Sequence, residues 1–126
     1  MTVRVALVDD QAMFRVGIAM VLDSQPDLEV VGQAEDGDQV AALVADAHPD
    51  VVVMDVRMTR VDGVTATRRL VDALGEDAPR VLVLTTFDLD EAAVSAIEAG
   101  ASGFVLKDAR PELLLAAVRA VGLRGP

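Results

Sequence analysis

The chain has no cysteine, no tryptophan and no tyrosine, and only three phenylalanines. Without cysteine, neither a disulfide frame nor a thiolate metal site can be built, which fits a reducing compartment. With so few aromatics, the core must come from Val, Leu, Ala and Ile, which suits helices packed on a sheet. Positive charge is scarce too. Lys and Arg number 11 against 21 Asp and Glu, giving a formal charge of −10 and a pI near 4.3. Such a chain repels nucleic acid on its own. Ten of the eleven basic residues are Arg, which leaves Lys107 as the single lysine. No apolar run reaches the ~18 residues of a membrane span, and an acidic pair arrives too early for a signal peptide. A cytoplasmic location, with no membrane contact, is expected.

At 126 residues the chain is long enough for one cored domain and too short for two ordinary ones. Its clearest element is V-V-V-M-D at Val51 to Asp55, four apolar residues closed by a carboxylate. A short, β-branched apolar run reads as a strand buried on both faces. Similar strands are expected at Val3 to Val8, Leu28 to Ala34, Val81 to Thr85 and Gly103 to Lys107. Helical periodicity falls between them. Gln11 to Ser24 carries Phe14, Ile18, Val21 and Leu22 on one face, and Val40, Leu43, Val44 and Ala47 follow the i, i+3, i+4, i+7 pattern. Asp36-Gly37-Asp38 offers that second helix a turn and an N-cap. His48, beside Pro49, reads as a turn residue. A third helix runs from Gly63 to about Leu74 with Val64, Val71 and Leu74, a fourth from Leu89 to Ala99, and a last one starts at Asp108 and Pro111.

Five β-α units in strict alternation imply a parallel sheet with right-handed crossovers and helices on both faces. The expected fold is α/β, a doubly wound flavodoxin-like (βα)5 sheet of order 2-1-3-4-5. In such sheets, ligands collect at the carboxyl edge near the switch point. Asp9, Asp10 and Asp55 then converge there, flanked by Thr85 and Lys107. Taken singly each has an ordinary explanation: a helix cap, a β-former, a solvated lysine. Together they make a charge problem. Two carboxylates ~4 Å apart repel by about 4 kcal/mol at an effective dielectric near 20, and a divalent cation relieves this. Oxygen-only donors point to Mg²⁺. Asp55, at the sheet's centre, is the best nucleophile towards phosphorus, and Asp9 and Asp10 are the better metal ligands. Lys107 and the metal share the charge of the transferred oxygens, with Thr85 placed to hydrogen-bond one of them.

Over nearly its whole length the chain resembles the receiver domain of bacterial two-component response regulators. The matching pieces are V-D-D at 8–10, M-D-V-R-M-T-R-V-D-G at 54–63, L-T-T at 84–86 and G-A-S-G-F-V-L-K-D-A at 100–109. The last block and L-T-T-F-D resemble the NarL/FixJ, or LuxR-type, subgroup. The resemblance implies that Asp55 accepts a phosphoryl group from a sensor histidine kinase, Asp9 and Asp10 hold Mg²⁺ with Asp55, and Lys107 binds the phosphate. It makes Thr85 and Phe104 the switch pair and the Arg57 backbone carbonyl a further metal ligand. Arg57 and Phe87 become the positions that tune the acyl-phosphate lifetime. It also implies homodimerisation and control of transcription, with DNA reached only through a helix-turn-helix effector that is expected to be absent from this chain.

Two positions depart from the family pattern. Thr59 stands where a proline is usual, and Phe104 replaces the commoner Tyr. The final helix, with Leu113, Leu114, Leu115, Val118 and Val121, is apolar over more than one stripe and suggests a self-association face, shared with the first helix. As an enzyme the chain is expected to catalyse only its own phosphorylation and dephosphorylation. A Mg²⁺-dependent phosphatase of the haloacid-dehalogenase type wants a D-x-D nucleophile motif on the first strand, where this chain has D-D-Q. A phosphorylation-independent interaction module tends to lose the lysine or the acidic pair, and both are present.

Overall fold

A computed structural model describes residues 2–86 and 91–122. Strands β1 (Val3–Val8), β2 (Leu28–Ala34), β3 (Val51–Asp55), β4 (Arg80–Thr85) and β5 (Gly103–Leu106) alternate with helices α1 (Ala12–Asp23), α2 (Val40–Ala47), α3 (Gly63–Leu74), α4 (Glu91–Ala99) and α5 (Pro111–Gly122). The strands form one parallel sheet in the order β2-β1-β3-β4-β5. That is the order expected from the sequence.

Period-2 alternation divides the core into two layers. Val5, Leu7, Val51, Val53, Leu82 and Leu84 pack on one side with Leu22 of α1 and Leu114, Val118 and Val121 of α5. Their neighbours Ala6, Val8, Val52, Met54, Val81 and Val83 pack on the other with Val40, Val44, Ala66, Leu70 and Ala96. Burial of both sheet faces is why these strands read as continuous apolar runs. It also leaves polar side chains to gather at the strand ends, among them the carboxyl ends.

Several details differ from the sequence reading, beginning with bounds shifted by a residue: α1 runs Ala12–Asp23 rather than Gln11 to Ser24, and β4 starts at Arg80 rather than Val81. In α3 the buried face is Ala66, Thr67 and Leu70, while Leu74 is exposed; the Thr67 hydroxyl donates to the Gly63 carbonyl at 2.7 Å and so satisfies itself inside. A 3-10 turn, Gly37–Gln39, precedes α2, and the Asp36 side chain does not cap it. Strand β5 stops at Leu106, so Lys107 opens the following turn. His48 ends α2 in the left-handed region (φ 50°), a turn residue as its place beside Pro49 suggested. Among the described residues, no helix is long and apolar enough to cross a membrane.

Candidate functional site

Asp9 follows directly on β1, and parallel pairing of β1 with β3 brings it beside the end of β3. Asp9 is 2% exposed and Asp55 5% exposed, whereas Asp10 is open to solvent. One carboxylate oxygen from each of the three lies within 4.8 Å of the others. Lys107 enters from the end of β5, where its backbone N–H donates to the Thr85 carbonyl at 2.8 Å. Its amine lies 2.8 Å from Asp9 Oδ2 and 3.1 Å from Asp55 Oδ2, and donates to Gln11 Oε1 at 2.7 Å. The Phe14 ring sits beneath it, 4.6 Å from centroid to Nζ. A cleft of about 360 Å³ opens over this group, lined by Asp10, Gln11, Asp55, Val56, Arg57 and Thr86 together with Lys107. A larger apolar groove, about 460 Å³ between α2 and α3, shares no residue with it.

Burial pushes the Asp55 carboxyl up from its ordinary value, and the neighbouring Asp9 charge pushes it further, while Lys107 opposes both. For Lys107 burial alone favours the neutral amine, but its contacts with Asp9 and Asp55 outweigh this and raise its pKa, so it stays charged. Three carboxylates still face a single ammonium. Asp9 Oδ2, fully buried, meets that ammonium as an ion pair and makes no aligned hydrogen bond among the described residues. A crowded, all-oxygen, net negative pocket with a lone pair to offer fits a hard divalent cation that accepts few protein ligands and keeps its waters.

The loop after β3 is closed on itself. The Val56 N–H donates to the Leu84 carbonyl at 3.1 Å, Gly63 N–H to Val56 carbonyl at 2.9 Å, and Arg57 N–H to Asp55 Oδ1 at 3.3 Å. Gly63 has no room for a side chain, because a Cβ there would collide with the Asp55 carbonyl. Thr59 reaches the pocket from the loop's crown, its hydroxyl 3.4 Å from Asp10 Oδ2.

The fold therefore brings together Asp9, Asp10, Asp55 and Lys107, with Arg57 on the rim. Thr85 is buried at the end of β4, one residue before the cleft-lining Thr86. Phe104, on β5, pairs with Val83 of β4 and is 45% exposed. Phe87 lies outside the described residues. Sequence reasoning passed over Gln11, whose backbone N–H also donates to Asp9 Oδ1 at 2.8 Å. It also passed over Arg15, which donates to the Asp9 carbonyl at 2.5 Å. It took Phe14 for a core residue only. Gln11 was within reach, since the residue after two acids at a strand tip is bound to face the same edge.

A doubly wound sheet carrying three acids and one lysine at its carboxyl edge is the architecture of the receiver domains that accept a phosphoryl group in signalling. The chain belongs to the response regulator receiver domain family, whose model matches residues 5–119. It is 43% identical over 118 residues to the transcriptional regulatory protein YxjL of Bacillus subtilis, covering 94% of this chain and 53% of that protein. To the transcriptional regulatory protein LiaR of the same organism it is 39% identical over 124 residues, covering 98% and 58%. The chain thus spans little more than half the length of these relatives. Among solved structures, the receiver domain of the response regulator NarL from Mycobacterium tuberculosis superposes with a TM-score of 0.90 at 31% identity, covering 98% of both chains. That likeness agrees with the subgroup resemblance in the sequence.

Proposed function

We propose that Asp55 is the phosphoacceptor of this receiver domain and that Lys107, Thr85 and a Mg²⁺ ion serve its phosphorylation. The observation that carries the reading is the Lys107 amine, held against Asp9 and Asp55 at once. An oxygen of Asp55 attacks the phosphorus of a sensor histidine kinase's phosphohistidine, or of a small phosphodonor. With phosphohistidine the new P–O bond forms as the P–N bond breaks, and the departing imidazole nitrogen keeps the electron pair and takes up a proton; with acetyl phosphate the P–O bond to the acetyl group breaks and acetate leaves with the electron pair. Lys107 moves from balancing carboxylates to binding a phosphoryl oxygen. Asp9, Asp10, Asp55 and the Arg57 carbonyl would hold the Mg²⁺, which when bound supplies positive charge opposite the phosphoryl oxygens.

The added charge of about −1.5 to −2 draws the Thr85 hydroxyl inwards, and the Phe104 ring follows. This is a shift between two pre-existing states that the phosphoryl group binds unequally. Arg57 and Phe87 tune how long the acyl phosphate lasts. The chain turns over no substrate other than its own phosphoryl group. It acts in the cytoplasm, and controls transcription through an effector domain outside this chain, as the names and greater length of its relatives suggest.

The output is self-association through α1 and α5. Met13, Val16 and Met20 on α1 and Leu113 on α5 are 91%, 50%, 71% and 57% exposed, beside a groove of about 330 Å³ between the two helices. The test of the switch is incubation with acetyl phosphate or phosphoramidate, followed by mass spectrometry. One phosphoryl group is expected with Mg²⁺ and none with EDTA. Equal labelling in EDTA overturns the metal-dependent reading.

A further inference from the structure

Asp36 lies at the end of β2, outside the acidic cleft, yet it is 1% exposed and carries a full carboxylate. Both its oxygens accept backbone N–H groups from the loop after β3. Oδ2 takes Arg60 at 2.9 Å and Oδ1 takes Val61 at 2.7 Å. The contact is reciprocated, since the Gly37 N–H donates to the Val61 carbonyl at 3.1 Å and a Cβ on Gly37 would strike that carbonyl. Burial opposes the Asp36 charge, but the two amides and the Arg60 guanidinium outweigh it, and its pKa is lowered. At the rim, Arg60 pairs with Asp38 through bonds of 2.7 and 3.1 Å.

This anchor fastens the segment that bears on the cleft. Residues 56–62 contain no proline to stiffen them. Below the anchored amides, Arg57 faces Asp55 through its N–H and Thr59 faces Asp10 through its hydroxyl. Two charge-assisted bonds to consecutive amides fix the loop's height and rotation together.

We propose that Asp36 is a positioning residue for the phosphoacceptor site: by clamping the Arg60 and Val61 amides it holds the β3–α3 loop in the arrangement that binds Mg²⁺. The inference rests on the metal-dependent phosphoacceptor reading above. An asparagine at 36 keeps the shape but offers one acceptor and one donor, so one amide faces an N–H. Partners that orient metal ligands without touching the ion typically change affinity by about 10–100-fold when removed.

The experiment is calorimetric titration of Mg²⁺ into the native, Asp36→Asn and Arg60→Gln chains, with amide exchange of the native chain followed with and without Mg²⁺. The Kd for Mg²⁺ is expected to weaken about tenfold in Asp36→Asn. It should stay within about twofold in Arg60→Gln, which keeps the amide that Asp36 clamps and loses only the solvent-exposed charge contacts of the guanidinium with Glu35, Asp38 and Asp36. With acetyl phosphate, the half-saturating Mg²⁺ concentration rises in Asp36→Asn while the rate at saturating Mg²⁺ stays native. A merely destabilised variant would lose amplitude and keep the native half-saturation. By reciprocity, Mg²⁺ must slow exchange of the Arg60 and Val61 amides in the native chain, and that measurement decides alone should Asp36→Asn not fold. An unchanged Kd in folded Asp36→Asn, or exchange at both amides indifferent to Mg²⁺, overturns the clamp. A native chain that binds no Mg²⁺ overturns the phosphoacceptor reading and the clamp with it.

Discussion

Asp55 is held between two opposing neighbours, Asp9 raising its pKa and Lys107 lowering it, with burial the largest influence. An acid whose pKa is raised on folding binds more protons folded than unfolded. Its contribution to stability is therefore greatest in acid and falls as pH rises from the unfolded value of 3.8 through the raised one. Asp55→Asn removes this penalty, so in EDTA at pH 7 the variant should melt higher than native by about 3–6 °C, on the order of 1 kcal/mol. The gain should vanish near pH 4, as paired melting curves would show. A variant that melts lower at pH 7 would mean that the Lys107 contact outweighs the repulsion. Asp36 has the opposite sign. Its lowered pKa contributes stability above about 3.8 that is lost as pH falls further. The gap in melting temperature between native and Asp36→Asn should narrow from pH 5 to pH 3.

Between elements, the tightest fit is where α3 starts against β3. Gly63→Ala places a methyl on the Asp55 carbonyl, and overpacking of this kind destabilises by about 1–3 kcal/mol; chemical denaturation should show that loss, with slower phosphoryl uptake. The exposed apolar stripe of α1 and α5 makes a separate prediction. With beryllofluoride and Mg²⁺ the native chain should dimerise by light scattering, and Leu113→Glu should stay monomeric. A native chain that is monomeric in both states removes self-association. At this scale the sequence was legible wherever one period dominated, as in β1, β2 and β3, whose bounds emerged intact. It misled in part in α3: Val64 packs on the core as expected, but Leu74 is exposed, and the fully buried residues are small Ala66, self-satisfied Thr67 and Leu70. Asp36 was misread for a related reason. An acid before a helix suggests a cap, but its actual partners lie 24 and 25 residues further on, a distance that no local pattern encodes.

In the whole molecule, the parallel order of the sheet brings the ends of four strands, β1, β3, β4 and β5, to one site. Asp9, Asp55 and Lys107 were legible as a group only through that topology, since 52 residues separate Lys107 from Asp55. The supporting residues Phe14 and Arg15, both on α1, were not, because their roles depend on how that helix leans on the pocket. A ligand that binds only the folded chain stabilises it by RT ln(1 + [L]/Kd), about 2.7 kcal/mol at a hundredfold excess over Kd. Mg²⁺ should therefore raise Tm by several degrees, and Asp9→Asn should abolish the rise. The most direct measurement of the central claim is the intact mass of native and Asp55→Asn chains after identical treatment with phosphoramidate and Mg²⁺. The account predicts one added phosphoryl group on the native chain and none on the variant. A variant that gains the same mass as native would contradict it.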